Sequence, residues 1–292
     1  MYKFSISALG TVWWIEIFDE ATHERLASLT LECEALLRSI EQRFSRFIPD
    51  SLVSILNRER VLVSDDTDLY TLLTTGQKFY GATQGRFNVL LGDHLIATGY
   101  DSEYSFTERT NPPQLGNPLT DLVYRNGTWH LHKGQLDLGG IGKGWAIDML
   151  AHYLQSQGMR EFLINGGGDI YGTSEYGQPI TIYLEDPLTP NSYLGTTTIM
   201  RQGFAASSSH KRRWQTRQGS EHHHIVGEIT NADASFVVAK NAMTADILAT
   251  TTLLTPKEAL PGLVSQHGAS LALYNNDGKT IDFYSDFPFQ SL

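Results

Sequence analysis

The chain has 292 residues, of which 41% are hydrophobic, and a formal net charge of −10 at pH 7. This length and composition suffice to bury a substantial core, whereas the negative charge disfavours nucleic acids and anionic membranes as partners, because the long-range field repels them. The single cysteine, Cys33, excludes an intrachain disulfide. Any anionic ligand must therefore be met by local cations, helix dipoles or a metal ion.

The sequence predicts neither a secretory signal nor a membrane span. Residues 1–6 carry neither the basic nor the apolar segment of a secretory signal. No apolar run approaches the roughly 20 residues of a membrane span. We therefore expect a cytoplasmic protein with no membrane span and no nucleic-acid partner.

In chain order, the first part of the sequence combines one strand pattern with two long helical ones. Residues 12–18 are aromatic and β-branched, which predicts a strand. Apolar residues recur at helical spacing over 24–44 and again over 65–83, which predicts two amphipathic helices, the second ended by Gly85. Between them, residues 45–57 predict a turn and a short helical piece.

The rest of the chain mixes helices with short strands. Residues 92–118 have no clean period and contain Pro112-Pro113, so we expect an irregular segment there. The dipeptide Asn126-Gly127 between two apolar runs predicts a β-hairpin. The remaining patterns predict helices over 143–157, 243–254 and 256–266, short strands between 162 and 238, and a pairing of 271–274 with 280–284.

This order of elements bears on the fold class. Helices and strands alternate without the regular βαβ repeat of a doubly wound sheet, so we predict an α+β fold with mixed or antiparallel sheets and packed helices. No domain boundary stands out in the composition. Residues 1–292 are expected to form a single domain, or two intimately packed subdomains.

A glycine-rich junction over residues 136–148 is the most informative segment. It places Asp137 and Lys143 beside the N-terminus of a predicted helix, where the helix dipole and a cation both favour an anion. The spacing fits neither a Walker A loop nor a dinucleotide fingerprint, since Gly144 follows the lysine and the glycines read GxGxG. The junction indicates a nucleotide-like ligand; the alternative is that the glycines serve only close strand–helix packing.

A second group of polar residues lies in the predicted helix near the C-terminal end of the chain. Asp246 and Thr250 are four residues apart, so their side chains share one helix face. Carboxylate and hydroxyl oxygens form part of the shell that Mg²⁺ prefers. The alternative is an aspartate near a helix start with an incidental threonine.

Three adjacent histidines, His222, His223 and His224, form a third group. On a strand at most two of them share a face, and no third ligand stands at the spacing of a zinc motif. One histidine acting as a general base is the better functional interpretation, and a partly exposed polar strand is the alternative. The basic cluster within residues 205–214 could meet a phosphate or an acidic partner, or could be a solvated loop.

Taken in order, these motifs resemble those of the ApbE family of FAD:protein FMN transferases. The resemblance covers residues 9 to about 255 and is most specific at the glycine junction and at Ala245-Asp246-Ile247-Leu248-Ala249-Thr250. Further matching segments are Leu9-Gly10-Thr11, residues 44–57, Gly85-Arg86-Phe87-Asn88, Asn165-Gly166-Gly167-Gly168-Asp169 and His224-Ile225.

The resemblance implies a set of site residues and a reaction. The residues implied for the FAD site are Leu9, Phe47, Arg86, Phe87, Asn88, Asp137, Lys143 and Ile225. Those implied for Mg²⁺ are Asp246, Thr250 and the carbonyls of Gly140 and Ala249, and His224 falls on the catalytic histidine. A Thr or Ser hydroxyl of an acceptor protein would attack the FMN-side phosphorus of FAD, with release of AMP.

The sequence also departs from the family pattern. Leu9 stands where Met is usual, Phe47 where Tyr is frequent and Asn88 where Asp is usual, and Gly227-Glu228 replaces the usual Asp-Pro after the histidine strand. Two competing hypotheses therefore stay open. One is an FAD pyrophosphatase that uses water as the nucleophile, and the other is a non-catalytic FAD-binding protein.

Overall fold

A computed structural model describes residues 1–101, 105–109, 113–174, 177–210, 213–217, 219–223, 225–229 and 232–292, except for the side chains of Arg213 and His223. The chain forms two compact units, and the path crosses between them more than once. Unit 1 contains residues 1–41, 141–208 and 229–292, and unit 2 contains residues 42–140 and 209–228.

Unit 1 is built on an eight-stranded sheet in which every recorded pairing is antiparallel. The predicted α+β class with antiparallel sheets is thus confirmed. In spatial order the strands are β1 (Tyr2–Ala8), β2 (Thr11–Ile17), β6 (Phe162–Gly166), β7 (Asp169–Thr173), β10 (Gln202–Ser208), β13 (Ala234–Ala239), β14 (Ser270–Asn275) and β15 (Thr280–Tyr284).

A smaller sheet lies against the large one and closes one apolar core of unit 1. Its strands, in spatial order, are β16 (Phe289–Gln290), β9 (Tyr193–Ile199) and β8 (Ile180–Glu185). Leu184 and Ile199 of this sheet share a buried cluster with Phe204 and Phe236 of the large one. Burial of these side chains removes apolar area from water and is the main stabilising contribution of this layer.

The helices of unit 1 are α1 (His23–Phe44, up to residue 41), α6 (Gly142–Ser156), α7 (Ala242–Leu253) and α8 (Leu260–Gln266). The first three lie within one residue of the predicted bounds. The predicted helix over 256–266 begins instead as a 3₁₀ turn, Lys257–Ala259, with Pro256 before it. Among the residues that the structure describes, no helix is both long and apolar enough to cross a membrane.

The helices α6 and α7 pack very closely near their N-terminal ends. A Cβ atom built on Gly144 would lie 2.6 Å from the carbonyl oxygen of Ala242 and 2.6 Å from the Cα atom of Met243. Both contacts are to backbone atoms, which cannot move aside without a shift of α7. Gly144 therefore allows the close packing of α6 on α7, which is the alternative that the sequence left open for the junction glycines.

Unit 2 combines short helices with small sheets. Its helices are α2 (Leu52–Glu59), α3 (Thr67–Ala82), α4 (Gly92–Ala97) and α5 (Pro118–Asp121). Its strands are β3 (Val61–Val63), β4 (Leu122–Arg125) and β5 (Thr128–Leu131), ordered β3-β5-β4, and the pair β11 (Arg213–Gln215) and β12 (Glu221–His223).

Two features of unit 2 bear on the sequence predictions. The hairpin between β4 and β5 is confirmed, and its turn residues Asn126 and Gly127 have φ angles of +49° and +79°, as a type I′ turn requires. The segment 92–118, predicted to be irregular, contains the six-residue helix α4. A helix of this length has too few residues to produce a visible period.

Candidate functional site

Lys143, in the first turn of α6, forms the centre of a charged cluster in unit 1. Its ammonium group donates hydrogen bonds to Oδ2 of Asp169, at the start of β7, and to Oδ2 of Asp246 on α7, the latter at 3.2 Å. The lysine side chain is 13% exposed and each carboxylate 7%. One cation therefore faces two carboxylates in a nearly buried position, which leaves an excess of negative charge.

The surroundings of Asp246 disfavour its charged form. Burial and the neighbouring negative charge of Asp169 raise the pKa of Asp246, while Lys143 acts in the opposite direction. The carboxylate also accepts the backbone N–H of Gly144 at 3.1 Å. Within the described part of the chain, the hydrogen bonds to Asp246 all end on Oδ2, so Oδ1 is left to interact with a further cation.

Thr250 supplies a hydroxyl on the same face of α7 as Asp246. Its Oγ1 lies 3.0 Å from Oγ of Ser207 on β10. Ala249 lies in the interior of the helix, and its carbonyl oxygen accepts the hydroxyl of Thr252 at 3.3 Å. The predicted juxtaposition of Asp246 and Thr250 on one helix is therefore present, while the role of the Ala249 carbonyl stays a prediction.

The N-terminus of α7 is held by a side chain of α6. Asp148 accepts hydrogen bonds from the backbone N–H groups of Ala242 at 2.8 Å and Met243 at 3.0 Å. Asn241 caps the same helix by accepting the N–H of Thr244. Burial raises the pKa of Asp148 to about 6, although its two backbone hydrogen bonds act the other way. Three free N–H groups of α7 are thereby satisfied.

Leu9 belongs to the two-residue turn between β1 and β2. It has a φ of +53°, Gly10 has a φ of +70°, and the Leu9 N–H donates to Oε1 of Glu41 at 2.7 Å. The backbone of Leu9 is thus fixed in a left-handed conformation that leucine rarely adopts. Its predicted role in flavin binding stays a prediction.

In unit 2, Asp137 pairs with Arg46, which the sequence analysis did not single out. Arg46 Nε donates to Asp137 Oδ2, and the Gly139 N–H donates to Oδ1 at 2.7 Å. The two charged side chains are 7% and 10% exposed. The guanidinium also lies over the ring of Phe47, 4.2 Å from its centroid. Asp137 thus neutralises a buried arginine and shapes the glycine turn.

An aromatic group continues from Phe47 within unit 2. The ring of Phe47 meets that of Tyr100 edge to face at 5.8 Å, and Tyr100 stacks on Trp214 at 5.3 Å. The Trp214 indole N–H donates to the carbonyl of Thr98 at 2.7 Å, which fixes the plane of the ring. Trp214 also stacks on His222, with ring centroids 6.1 Å apart. Such a group of planar side chains can bind another flat ring.

The segment Arg86-Phe87-Asn88 is mostly part of the interior of unit 2. Both ends of the Asn88 amide are used, since Nδ2 donates to the carbonyl of Gly116 at 2.9 Å and Oδ1 accepts the N–H of Leu90 at 2.7 Å. Phe87 is buried against Phe79. Arg86 is half-buried and its Nη1 donates to the Thr83 carbonyl. Contact of this segment with flavin stays a prediction.

Ile225, Gly140 and His224 are the remaining residues that the sequence predicts for the site. Ile225 is buried. Gly140 follows the turn at Gly139, and a Cβ atom there would lie 3.4 Å from the Phe87 ring, which is an ordinary contact. His224 lies outside the described residues, as do Lys211 and Arg212 of the basic cluster. The catalytic role of His224 therefore stays a prediction.

Sequence reasoning missed several residues of these clusters. Asp169 ends the asparagine–glycine motif and Arg46 adjoins Phe47, so both stood inside segments already noted. Their partners are distant in sequence, however: Lys143 is 26 residues from Asp169, and Asp137 is 91 residues from Arg46. No local pattern could have paired them.

The chain matches a known protein family over most of its length. The ApbE family matches residues 9–274 of the chain. The chain therefore belongs to the ApbE family, and the resemblance drawn from its motifs is confirmed.

Particular relatives support the same assignment. A protein of Vibrio cholerae named FAD:protein FMN transferase is 26% identical over 261 residues, covering 83% of this chain and 78% of its own length. One of the same name from Escherichia coli K12 is 21% identical over 97% of this chain and 87% of its own. The solved ApbE protein of Thermotoga maritima matches with a TM-score of 0.82 at 20% identity, covering 97% of each chain. The expected class, a transferase enzyme, is confirmed at this level.

Proposed function

We propose that this chain is a divalent-cation-dependent flavin transferase. It would transfer FMN from FAD to a Thr or Ser hydroxyl of an acceptor protein and release AMP. The observation that carries the proposal is the buried cluster of Lys143, Asp169 and Asp246 in a chain of the ApbE family. The names of its relatives in Vibrio cholerae and Escherichia coli support the flavin substrate.

The residues of α7 fit a hard cation such as Mg²⁺. The free carboxylate oxygen of Asp246 and the hydroxyl of Thr250 are both oxygen donors, which is the ligand type that Mg²⁺ prefers. No group of three His, Cys, Asp or Glu side chains in the described residues could hold a metal. The proposed site accordingly relies on hydroxyl, carbonyl and ligand oxygens beside one carboxylate. The carbonyls of Gly140 and Ala249 remain the sequence-based proposals for further ligands.

The reaction needs charge compensation and alignment more than covalent participation by the enzyme. Mg²⁺, when bound, would neutralise phosphate charge and polarise the phosphorus. Lys143, beside the positive end of the α6 dipole, would hold a phosphate oxygen of FAD. A bond forms between the acceptor hydroxyl oxygen and the FMN phosphorus, the bond from that phosphorus to the AMP oxygen breaks, and His224 is proposed to accept the hydroxyl proton.

The aromatic group of unit 2 is the proposed contact for a ring of FAD. Phe47 is half-buried and held from one side by the Arg46 guanidinium. Because Arg46 is itself fixed by Asp137, the ring of Phe47 is pre-oriented, which lowers the entropy cost of binding a flat ligand. Asp137 would then act by holding Arg46, and Phe47 would make the contact.

The decisive experiment measures both products. The protein is incubated with FAD, Mg²⁺ and a candidate acceptor, and the intact mass of the acceptor and the released AMP are followed. Acceptor mass increased by one FMN, together with AMP, supports the transferase. AMP without acceptor modification would indicate a pyrophosphatase, and FAD binding without either product would indicate a binding protein.

The metal assignment gives the first mutational prediction. Asp246→Ala removes the only carboxylate proposed as a cation ligand and should lower turnover by at least about 100-fold, a typical cost of losing one catalytic electrostatic group. The matched control is Asp282→Ala, which removes an exposed carboxylate paired with Lys257 at 2.9 Å and should leave turnover unchanged. Equal turnover in Asp246→Ala and the parent chain would refute the assignment.

A further inference from the structure

The carboxylate proposed for the cation is already bonded to an internal cation. Lys143 Nζ lies 3.2 Å from Oδ2 of Asp246 and also contacts Asp169. The proposed metal ligand therefore has a positive charge on one oxygen before any divalent ion is considered. The nearby hydroxyls of Thr250 and Ser207 are neutral and cannot offset this charge.

Counting charges shows what a divalent ion would change. Among the described residues of this cluster, two carboxylates and one ammonium sum to −1. A divalent cation on Asp246 would bring the sum to +1 and would place two positive groups on one carboxylate. The side chains are 7–13% exposed, so water and salt screen this repulsion poorly. A bound diphosphate would add negative charge and restore the balance.

We propose that Lys143 is an internal counter-ion that makes cation binding depend on the phosphates of the nucleotide. It opposes a divalent cation that binds alone and favours the cation and a diphosphate together. Such coupling is reciprocal, so each ligand tightens the other by the same factor. This inference rests on the proposed function, because it takes Asp246 as the cation ligand.

A counter-ion role and a purely structural role for Lys143 predict opposite changes in cation affinity when the lysine is removed. If Lys143 served only to stabilise the cluster, its removal would disorder two buried carboxylates and weaken or leave unchanged the affinity for a cation. As a counter-ion, Lys143 competes with the cation, so its removal strengthens cation binding. The same change reduces the advantage that a diphosphate gives to the part that comes from phosphate oxygens on the cation itself.

The test uses Mn²⁺ as the cation and ADP as a diphosphate that carries no flavin to transfer. Free Mn²⁺ is measured by electron paramagnetic resonance during titration of the whole chain, with and without ADP, after correction for the Mn²⁺–ADP complex formed in solution. For the parent chain we expect ADP to tighten Mn²⁺ binding by at least about tenfold, within the usual range of coupling between ligands. For Lys143→Met we expect Mn²⁺ alone to bind at least tenfold tighter than in the parent, and ADP to tighten it by a clearly smaller factor than in the parent, because only direct contact of phosphate oxygens with the cation remains.

Two further variants keep the test independent of folding. Asp169→Asn removes negative charge and should weaken the binding of Mn²⁺ alone, opposite to Lys143→Met. The double variant Lys143→Met with Asp169→Asn retains the net charge of −1 and removes both members of the closest ion pair; it should show the same reduced ADP dependence as Lys143→Met. Lys257→Met is the matched control, because Lys257 pairs with Asp282 on the surface, and it should behave as the parent. Thermal unfolding of each variant confirms that it is folded.

The possible results separate the inference from the proposed function. Mn²⁺ affinity in Lys143→Met that is equal to or weaker than in the parent would overturn the counter-ion role. A parent chain that binds Mn²⁺ equally with and without ADP would do the same while leaving the metal site intact. A parent chain that binds no Mn²⁺ under either condition would instead refute the metal site itself.

Discussion

At the scale of single residues, each unit contains a nearly buried cation that faces carboxylates of the same unit. Lys143 faces Asp169 and Asp246 in unit 1, and Arg46 faces Asp137 in unit 2. Replacing both partners of a buried pair is often tolerated, whereas removing one leaves a buried charge without compensation. The roles of these residues are therefore best separated by single substitutions with exposed pairs as controls.

The pair of Arg46 and Asp137 gives a stability prediction. Arg46→Ala should lower the free energy of unfolding by about 3–5 kcal/mol, because it leaves the Asp137 carboxylate buried without its cation. The control is Arg38→Ala, whose partner Glu34 lies one helical turn away on the exposed face of α1; it should cost less than about 1 kcal/mol. Urea denaturation measures both. Equal losses in the two variants would contradict the prediction.

At the scale of the elements, α6 and α7 hold each other at their N-terminal ends. Asp148 of α6 accepts two N–H groups of α7, and Asp246 of α7 accepts the N–H of Gly144 in α6. Each helix thus supplies the carboxylate that satisfies free N–H groups of the other. These direct hydrogen bonds between the two helices fix the position of Asp246 relative to Lys143.

Asp148 gives a prediction for the dependence of stability on pH. Burial raises its pKa from the usual 3.8 to about 6 in the folded chain, so the folded state binds more protons than the unfolded state between these values. The contribution of Asp148 is therefore fully present below about pH 4 and is lost as the pH rises through about 6, a change of about 3 kcal/mol. Urea unfolding at pH 4, 5, 6 and 7 should show this slope in the parent chain.

The matched variant for this prediction is Asp148→Asn. It keeps the shape of the side chain but cannot titrate and accepts only one of the two N–H groups, so it should lose about 1–2 kcal/mol at low pH. Relative to this variant, the parent chain should lose stability as the pH rises from 4 to 7. A constant difference across that range would show that Asp148 does not titrate as described.

The close packing of α6 on α7 gives a third stability prediction. Gly144→Ala would place a methyl group 2.6 Å from the backbone of α7, so it should destabilise the chain by about 1–3 kcal/mol through overpacking. Gly262→Ala in α8 is the control, since no atom lies within 4 Å of its added methyl group. It should stabilise by up to about 1 kcal/mol, because alanine favours the helix. Thermal melts that rank the two variants in the opposite order would contradict the packing argument.

At the scale of the whole molecule, local patterns predicted the elements and left their arrangement open. The helices α1, α6 and α7 have periodic apolar faces or strong end signals and were predicted within one residue. The strand β1 was not predicted, although apolar and polar residues alternate over Tyr2–Ala8 as they do in a half-buried strand. Strand order was not predictable either, since pairing across a sheet depends on tertiary contacts that one segment does not contain.

The candidate site was predictable to a similar extent. Asp246 and Thr250 share a helix face because helical spacing requires it, and the helix predicted after the glycine junction placed Lys143 beside a helix N-terminus. The contact of Lys143 with both carboxylates could not be predicted, since Asp169 and Asp246 are brought to it from 26 and 103 residues away. Sequence thus identified donors, and the fold determined which charges meet.

The pairing of β2 with β6 has a consequence for synthesis of the chain on the ribosome. Ile17 pairs with Phe162, 145 residues later in the sequence (162 − 17). At about 5–20 residues per second, the N-terminal hairpin waits roughly 7–30 s for the strand that covers its inner edge. The side chains of Trp13, Ile15 and Ile17, fully buried in the finished fold, stay partly uncovered during that interval. The nascent hairpin is therefore a segment that a chaperone would protect while translation continues.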